Sequence, residues 1–140
     1  MKEKISRFED LIAWQKARAL AGAIYKTTAK HPFDRDYSMK NQICSAALSV
    51  PSNIAEGFER DRLKEFHQFL SVAKASCAEV RSDLYVAFDV GYINEPQLTA
   101  LLAQAREVGR VVGGLRSSIE AQLLRTQDSG LRTRSGLRTR

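Results

Sequence analysis

Two runs of apolar residues, each stepping alternately by three and four, constrain this chain more than any other feature. Phe66, Leu70, Ala73, Cys77, Val80, Leu84 and Ala87 form the first run; Leu98, Leu101, Ala105, Val108, Val112, Leu115 and Ile119 form the second. A mean step of about 3.5 residues keeps one stripe of an α-helix turned toward its neighbours and favours left-handed packing at about 20°. Strands, whose faces alternate every second residue, do not produce it. Between the runs stand Gly91-Tyr92-Ile93 and Asn94-Glu95-Pro96. Gly91 suits the left-handed C-terminal position, with Tyr92 and Ile93 folding back on the last turn. Asn94 offers an N-cap, followed by an acid and a tolerated proline. The pattern predicts helices over about 62–90 and 95–124.

Two more helices precede these. Ala13, Ala17, Leu20 and Ile24 repeat with helical spacing, flanked by Trp14, Ala21 and Tyr25. Ser6-x-x-Glu9 reads as a capping box, and Pro32 pushes His31 out of the helical region, so this helix is expected over about 7–31. Ile43, Ala47, Val50, Ile54 and Phe58 place another over about 38–59, with a second stripe at Cys44, Leu48, Pro51 and Ala55. Pro51 cannot donate to the carbonyl of Ala47, which predicts a kink or a break there, and Gly57 weakens the end. Short connections force antiparallel neighbours. The expectation is an all-α fold: an antiparallel up-down-up-down four-helix bundle over residues 1–124. A disordered basic tail follows over 125–140, where Ser-Gly-Leu-Arg-Thr-Arg occurs twice with no apolar face to bury.

Charge and hydropathy narrow the function classes. The chain is 44% hydrophobic and 27% charged, the balance of a globular protein. Its longest stretch without a charge, Asn41 to Ala55, is dotted with polar residues and too short for a membrane span. Met1-Lys2-Glu3-Lys4 leads into no apolar segment, which predicts no secretory leader and a cytoplasmic protein. Of the 22 basic residues, Arg132, Arg134, Arg138 and Arg140 lie in residues 129–140, leaving 18 against 16 acids in residues 1–128. Cys44 and Cys77 sit in apolar stripes and read as reduced, buried thiols.

Motifs for catalysis are absent from the sequence. There is no Walker, GxGxxG or GxSxG string. His31 and His67 stand on different helices and neither belongs to a Glu-x-x-His pair, so neither a metal nor a cofactor is expected. Gly109 and Gly113, spaced by four with Gly114 following, read either as a close approach to a subunit or partner, or as tight packing within the bundle. Leu48-Ser49-Val50-Pro51-Ser52-Asn53-Ile54-Ala55-Glu56-Gly57-Phe58 is denser in information. Asn53 carries two donors that can repair the gap left by Pro51, and Glu56 can accept hydrogen bonds across the bundle. The string reads as a polar clamp on a kinked helix or as a ligand or partner site.

With Phe8-Glu9-Asp10-Leu11, Trp14-Gln15-Lys16-Ala17, Gly91-Tyr92-Ile93 and Val108-Gly109-Arg110, that string resembles a family of four-helix-bundle proteins encoded in intervening sequences of bacterial large-subunit ribosomal RNA genes. The likeness covers about residues 6–120. It implies a ring of five subunits and a distant kinship to retroelement accessory proteins that bind nucleic acid and a reverse transcriptase. The functional expectation is a non-catalytic homo-oligomer that binds RNA or a nucleic-acid enzyme. Lys16, Arg18, Lys40, Arg60, Arg62 and Lys64 are the candidate phosphate contacts, the last three forming a basic rim between helices two and three. The alternatives are a protein–protein scaffold with no nucleic-acid role and, at the margin, an interfacial enzyme around Asn53 and Glu56. Surplus apolar residues beside the inner rows (Leu11, Trp14, Ala21 and Tyr25 with Cys44, Leu48, Pro51 and Ala55) point to self-association through Trp14 and the Pro51 flank.

Overall fold

Several helix boundaries carry a local cause. A computed structural model describes the backbone of residues 4–139 and the side chains of residues 4–127. Among them the regular elements are helical: α1 (Ile12–Thr28), α2 (Tyr37–Glu59), α3 (Leu63–Asp89) and α4 (Glu95–Thr139), with single 3-10 turns at Phe8–Asp10 and Phe33–Arg35. Asp36 caps α2, its Oδ1 accepting from the Met39 amide at 3.0 Å. The same carboxylate accepts from the Tyr92 hydroxyl at 2.9 Å, tying the start of α2 to the α3–α4 turn. Those two hydrogen bonds, the amide first, hold Asp36 below the usual carboxylate range, and the bond to Asp36 pushes the Tyr92 hydroxyl up.

Gly91 takes φ +84° as expected. The Tyr92 amide donates back to Ala87 at 2.8 Å and the Gly91 amide to Phe88 at 3.0 Å, a complete Schellman ending. Asn94 and Gln97 then exchange side-chain-to-amide hydrogen bonds of 2.9 and 2.8 Å, so α4 begins with a reciprocal capping box. The turn between α2 and α3 is shorter still, with Asp61 at φ +56°.

All four inner stripes face one core. Every residue of the Phe66–Ala87 run is buried, as is the Leu98–Ile119 run apart from the partly buried Leu115. Each helix packs on its chain neighbours, and α1 also packs on α4. Contacts run in opposite directions: Ser71 meets Arg116 while Tyr85 meets Arg106, and Phe66 meets Phe58 while Ser76 meets Ser49. An up-down-up-down bundle makes this pattern. Cys44 and Cys77 are free and buried. No helix of the described residues is long and apolar enough to cross a membrane.

The structure corrects the sequence reading at several points. The Ser6/Glu9 capping box does not form, and α1 is shorter at both ends than 7–31. Phe8 instead packs edge-on against Trp14 at 5.1 Å, which holds Phe8–Asp10 in its own turn and leaves Leu11 extended. Of the kink or break expected at Pro51, the break does not occur: α2 is helical from Tyr37 to Glu59, close to the expected 38–59. The helical bounds of α4 pass beyond residue 124. The tail expected to be disordered over 125–140 has its side chains from 128 onward outside the described residues.

Candidate nucleic-acid interface

The polar residues around Pro51 are satisfied locally. Asn53 Nδ2 donates to the Ser49 carbonyl and to Ser49 Oγ, both at 2.8 Å, so it secures Ser49 rather than the carbonyl of Ala47. Ser76 Oγ on α3 donates to the same Ser49 Oγ at 2.9 Å, joining the two helices. Glu56 does not reach across the bundle. It is exposed and accepts from Arg60, one turn on, at 3.2 Å, while Ser52 is exposed on the same helix. Asn53, Ser49 and Ser76 thus tie α2 to α3. Gly57 has a different task, because a Cβ there would stand 2.6 Å from Phe69 Cβ and 3.0 Å from Phe66 Cδ1. It lets α3 lie against the end of α2.

Of the six basic residues singled out from sequence, Lys16, Arg60 and Arg62 stand beside acids, whereas Arg18, Lys40 and Lys64 have no carboxylate within 4.0 Å among the described residues. Lys16 pairs with Glu107 at 2.6 Å. That hydrogen bond and the Lys16 charge, with a smaller part from Arg110, hold Glu107 below the usual carboxylate range. The Arg18 guanidinium lies over the Trp14 ring at 5.6 Å. Arg60 is shared between Glu56 and Glu65, and Arg62 also approaches Glu65. Lys40 is half-buried on α2 and Lys64 exposed on α3. Exposed pairs of this kind leave little net field.

A basic surface of another origin lies between α3 and α4. Lys74 and Arg81 project from α3, Arg106 and Arg110 from α4, around a groove of about 470 Å³ whose floor includes Cys77, Gly109, Gly113 and Gly114. Among the described residues none of these four cations has a carboxylate within 4.0 Å. The glycines are not forced by packing. A Cβ at Gly109 would meet Cys77 at an ordinary 3.9 Å, at Gly113 only the flexible end of Lys74, and at Gly114 nothing within 4 Å. Their lack of side chains deepens the groove instead. Arg106 also donates to the Tyr85 hydroxyl at 3.2 Å, which places that aromatic residue at the groove's edge. Burial pushes the Cys77 thiol up to about 11 despite the nearby Arg81, so it enters the floor as an uncharged group.

On the other side of the bundle, Phe8, Trp14, Ala21, Leu48, Pro51 and Ala55 line an apolar hollow of about 330 Å³ between α1 and α2. Part of the surplus apolar stripe is used within the protomer: Cys44 and Ala21 belong to its own core, and Pro51 is buried where it lines the hollow. Leu48 and Tyr25 remain about half exposed. Among the described residues no group of three or more His, Cys, Asp or Glu side chains is placed to hold a metal ion.

Residues 9–114 match the family described as 23S rRNA-intervening sequence protein. Among solved structures, the chain is similar to a protein of unknown function from the S23 ribosomal protein family of Bacteroides thetaiotaomicron. The two are 19% identical with a TM-score of 0.69 over 75% of this chain and 98% of that one, which is a likeness of fold. No curated protein matches.

Proposed function

The chain belongs to the 23S rRNA-intervening sequence protein family, and from that premise we propose that it is a non-catalytic helical bundle that binds RNA through the α3–α4 groove. The observation that carries this reading is the set of four cations around that groove without a carboxylate in contact. Elsewhere Lys16, Arg60 and Arg62 are drawn to acids. Unpaired cations along a depression attract a polyanion by releasing its counterions. The non-catalytic part is supported by the Pro51 string, where Asn53 and Glu56 are engaged by Ser49 and Arg60.

Self-association completes the proposal. The hollow beside Trp14 faces away from the groove, so copies joined through α1 and α2 leave the groove free, in keeping with the ring of five that the family resemblance implies. Several copies multiply a weak local attraction by effective concentration. The experiment is fluorescence anisotropy with a labelled RNA hairpin carrying a stem and a loop. The Arg81→Glu/Arg110→Glu variant is expected to lose most of the affinity, and Arg60→Glu/Arg62→Glu little of it. Equal loss in both variants refutes the groove as the contact. No binding by the wild-type chain supports the scaffold reading instead.

A further inference from the structure

Resting on that RNA-binding reading, we infer that the α3–α4 groove takes a single strand, not a duplex, and that Tyr85 is the platform on which one of its bases stacks. Three observations converge. The first is width. The groove lies between two neighbouring packed helices, whose axes are typically about 8–10 Å apart, too close for an A-form RNA duplex to enter, and the duplex's own major groove is deep, narrow and closed to side chains. A duplex would ride on the rims and leave the floor empty.

The second is the floor. Gly109 and Gly113 carry no side chain where a Cβ would meet nothing closer than 3.7 Å, so space is left that intramolecular packing does not require. A sugar-phosphate backbone sunk between the helices uses that depth, and a rim-bound duplex does not. The cations are disposed to match. Lys74 and Arg81 are seven residues apart on α3, about 10 Å of helix, and Arg106 and Arg110 face them from α4. Charge therefore lines both walls of a short track.

The third is the aromatic residue at its edge. Tyr85 is 46% exposed although it is large and partly apolar, and its hydroxyl is held at 3.2 Å by Arg106, one of the cations of the wall. A strand whose phosphates lie on the track turns its bases toward that edge. A cationic groove with a flanking aromatic residue is the arrangement that single-stranded nucleic acid selects, since every base presents a π-face.

The test compares a labelled twelve-nucleotide RNA strand with its blunt duplex, using the full chain, the Tyr85→Ala variant and the Tyr85→Phe variant. The strand is expected to bind at least tenfold more tightly than the duplex. Tyr85→Ala should weaken strand binding about tenfold, the order of one lost stacking contact, and leave duplex binding unchanged. Tyr85→Phe, which keeps the ring, should retain strand binding, and far-ultraviolet circular dichroism should be the same for all three proteins. A duplex bound as well as the strand, with both lost on Arg81→Glu/Arg110→Glu, overturns this inference while the RNA-binding reading stands. Binding of neither overturns both, and a strand bound equally by Tyr85→Ala removes the stacking role.

Discussion

Replacing Gly57 by alanine sets two effects of opposite sign against each other, and the structure decides between them. Alanine is favoured over glycine inside a helix by about 1 kcal/mol, and by less near an end, where Gly57 lies. Against this, the new Cβ would stand 2.6 Å from Phe69 Cβ, about 0.8 Å short of ordinary contact, and 3.0 Å from Phe66 Cδ1. Phe69 Cβ is fixed by the α3 backbone and cannot swing aside, so the two helices must separate. Overpacking of this kind costs about 1–3 kcal/mol, and the fixed obstacle puts Gly57→Ala toward the upper part of that range. The net expectation is destabilisation by about 1–2 kcal/mol, a fall in Tm of several degrees. Gly22→Ala is the internal control: Gly22 is exposed within α1 and its Cβ would meet nothing within 4 Å. There only the propensity term acts, and a gain of about 0.5–1 kcal/mol is expected. Urea unfolding followed by circular dichroism measures both. A Gly57→Ala protein as stable as Gly22→Ala refutes the close approach of α2 and α3.

Acid should weaken the tie between α2 and the α3–α4 turn. Because folding lowers the Asp36 pKa beneath its ordinary value of 3.8, its contribution is complete above that pH and is lost as the pH falls through the folded value. Urea midpoints between pH 6 and pH 2.5 should therefore fall less steeply for Asp36→Asn than for wild type, and parallel curves would contradict this. At pH 8 neither Cys44 nor Cys77 should react with a disulfide reagent within the time needed to label unfolded chain, since both are buried and burial holds Cys77 as a thiol to about 11. Rapid loss of one thiol in the native state would show that its helix opens.

Local periodicity was enough for the four helices and their core. The inner stripes of α3 and α4 are the residues the core uses, because a heptad-like repeat carries its own orientation. Gly91 and Asn94 were legible for a similar reason, as their conformational preferences act within one turn. Ser6 and Glu9 misled because the competing contact, Phe8 on Trp14, draws the chain into a separate turn before α1. Gly57 looked like a weakness since the obstacle that requires it belongs to another helix. The groove was hidden for the same cause. Lys74 and Arg81 share a face of α3, and Arg106 and Arg110 a face of α4, but neither spacing states that the two faces oppose each other. From sequence alone, Arg106 and Arg110 say only that the glycines between and beyond them do not belong in a membrane.

The salt dependence of RNA binding tests the central claim most directly. Each phosphate neutralised on a single strand contributes about −0.7 to the slope of log affinity against log salt. Removing two of the four groove cations in Arg81→Gln/Arg110→Gln should therefore make the slope shallower by about 1.4, whatever the arginines of the C-terminal segment add to both proteins. Parallel lines for the two proteins would place the phosphates elsewhere and contradict the groove.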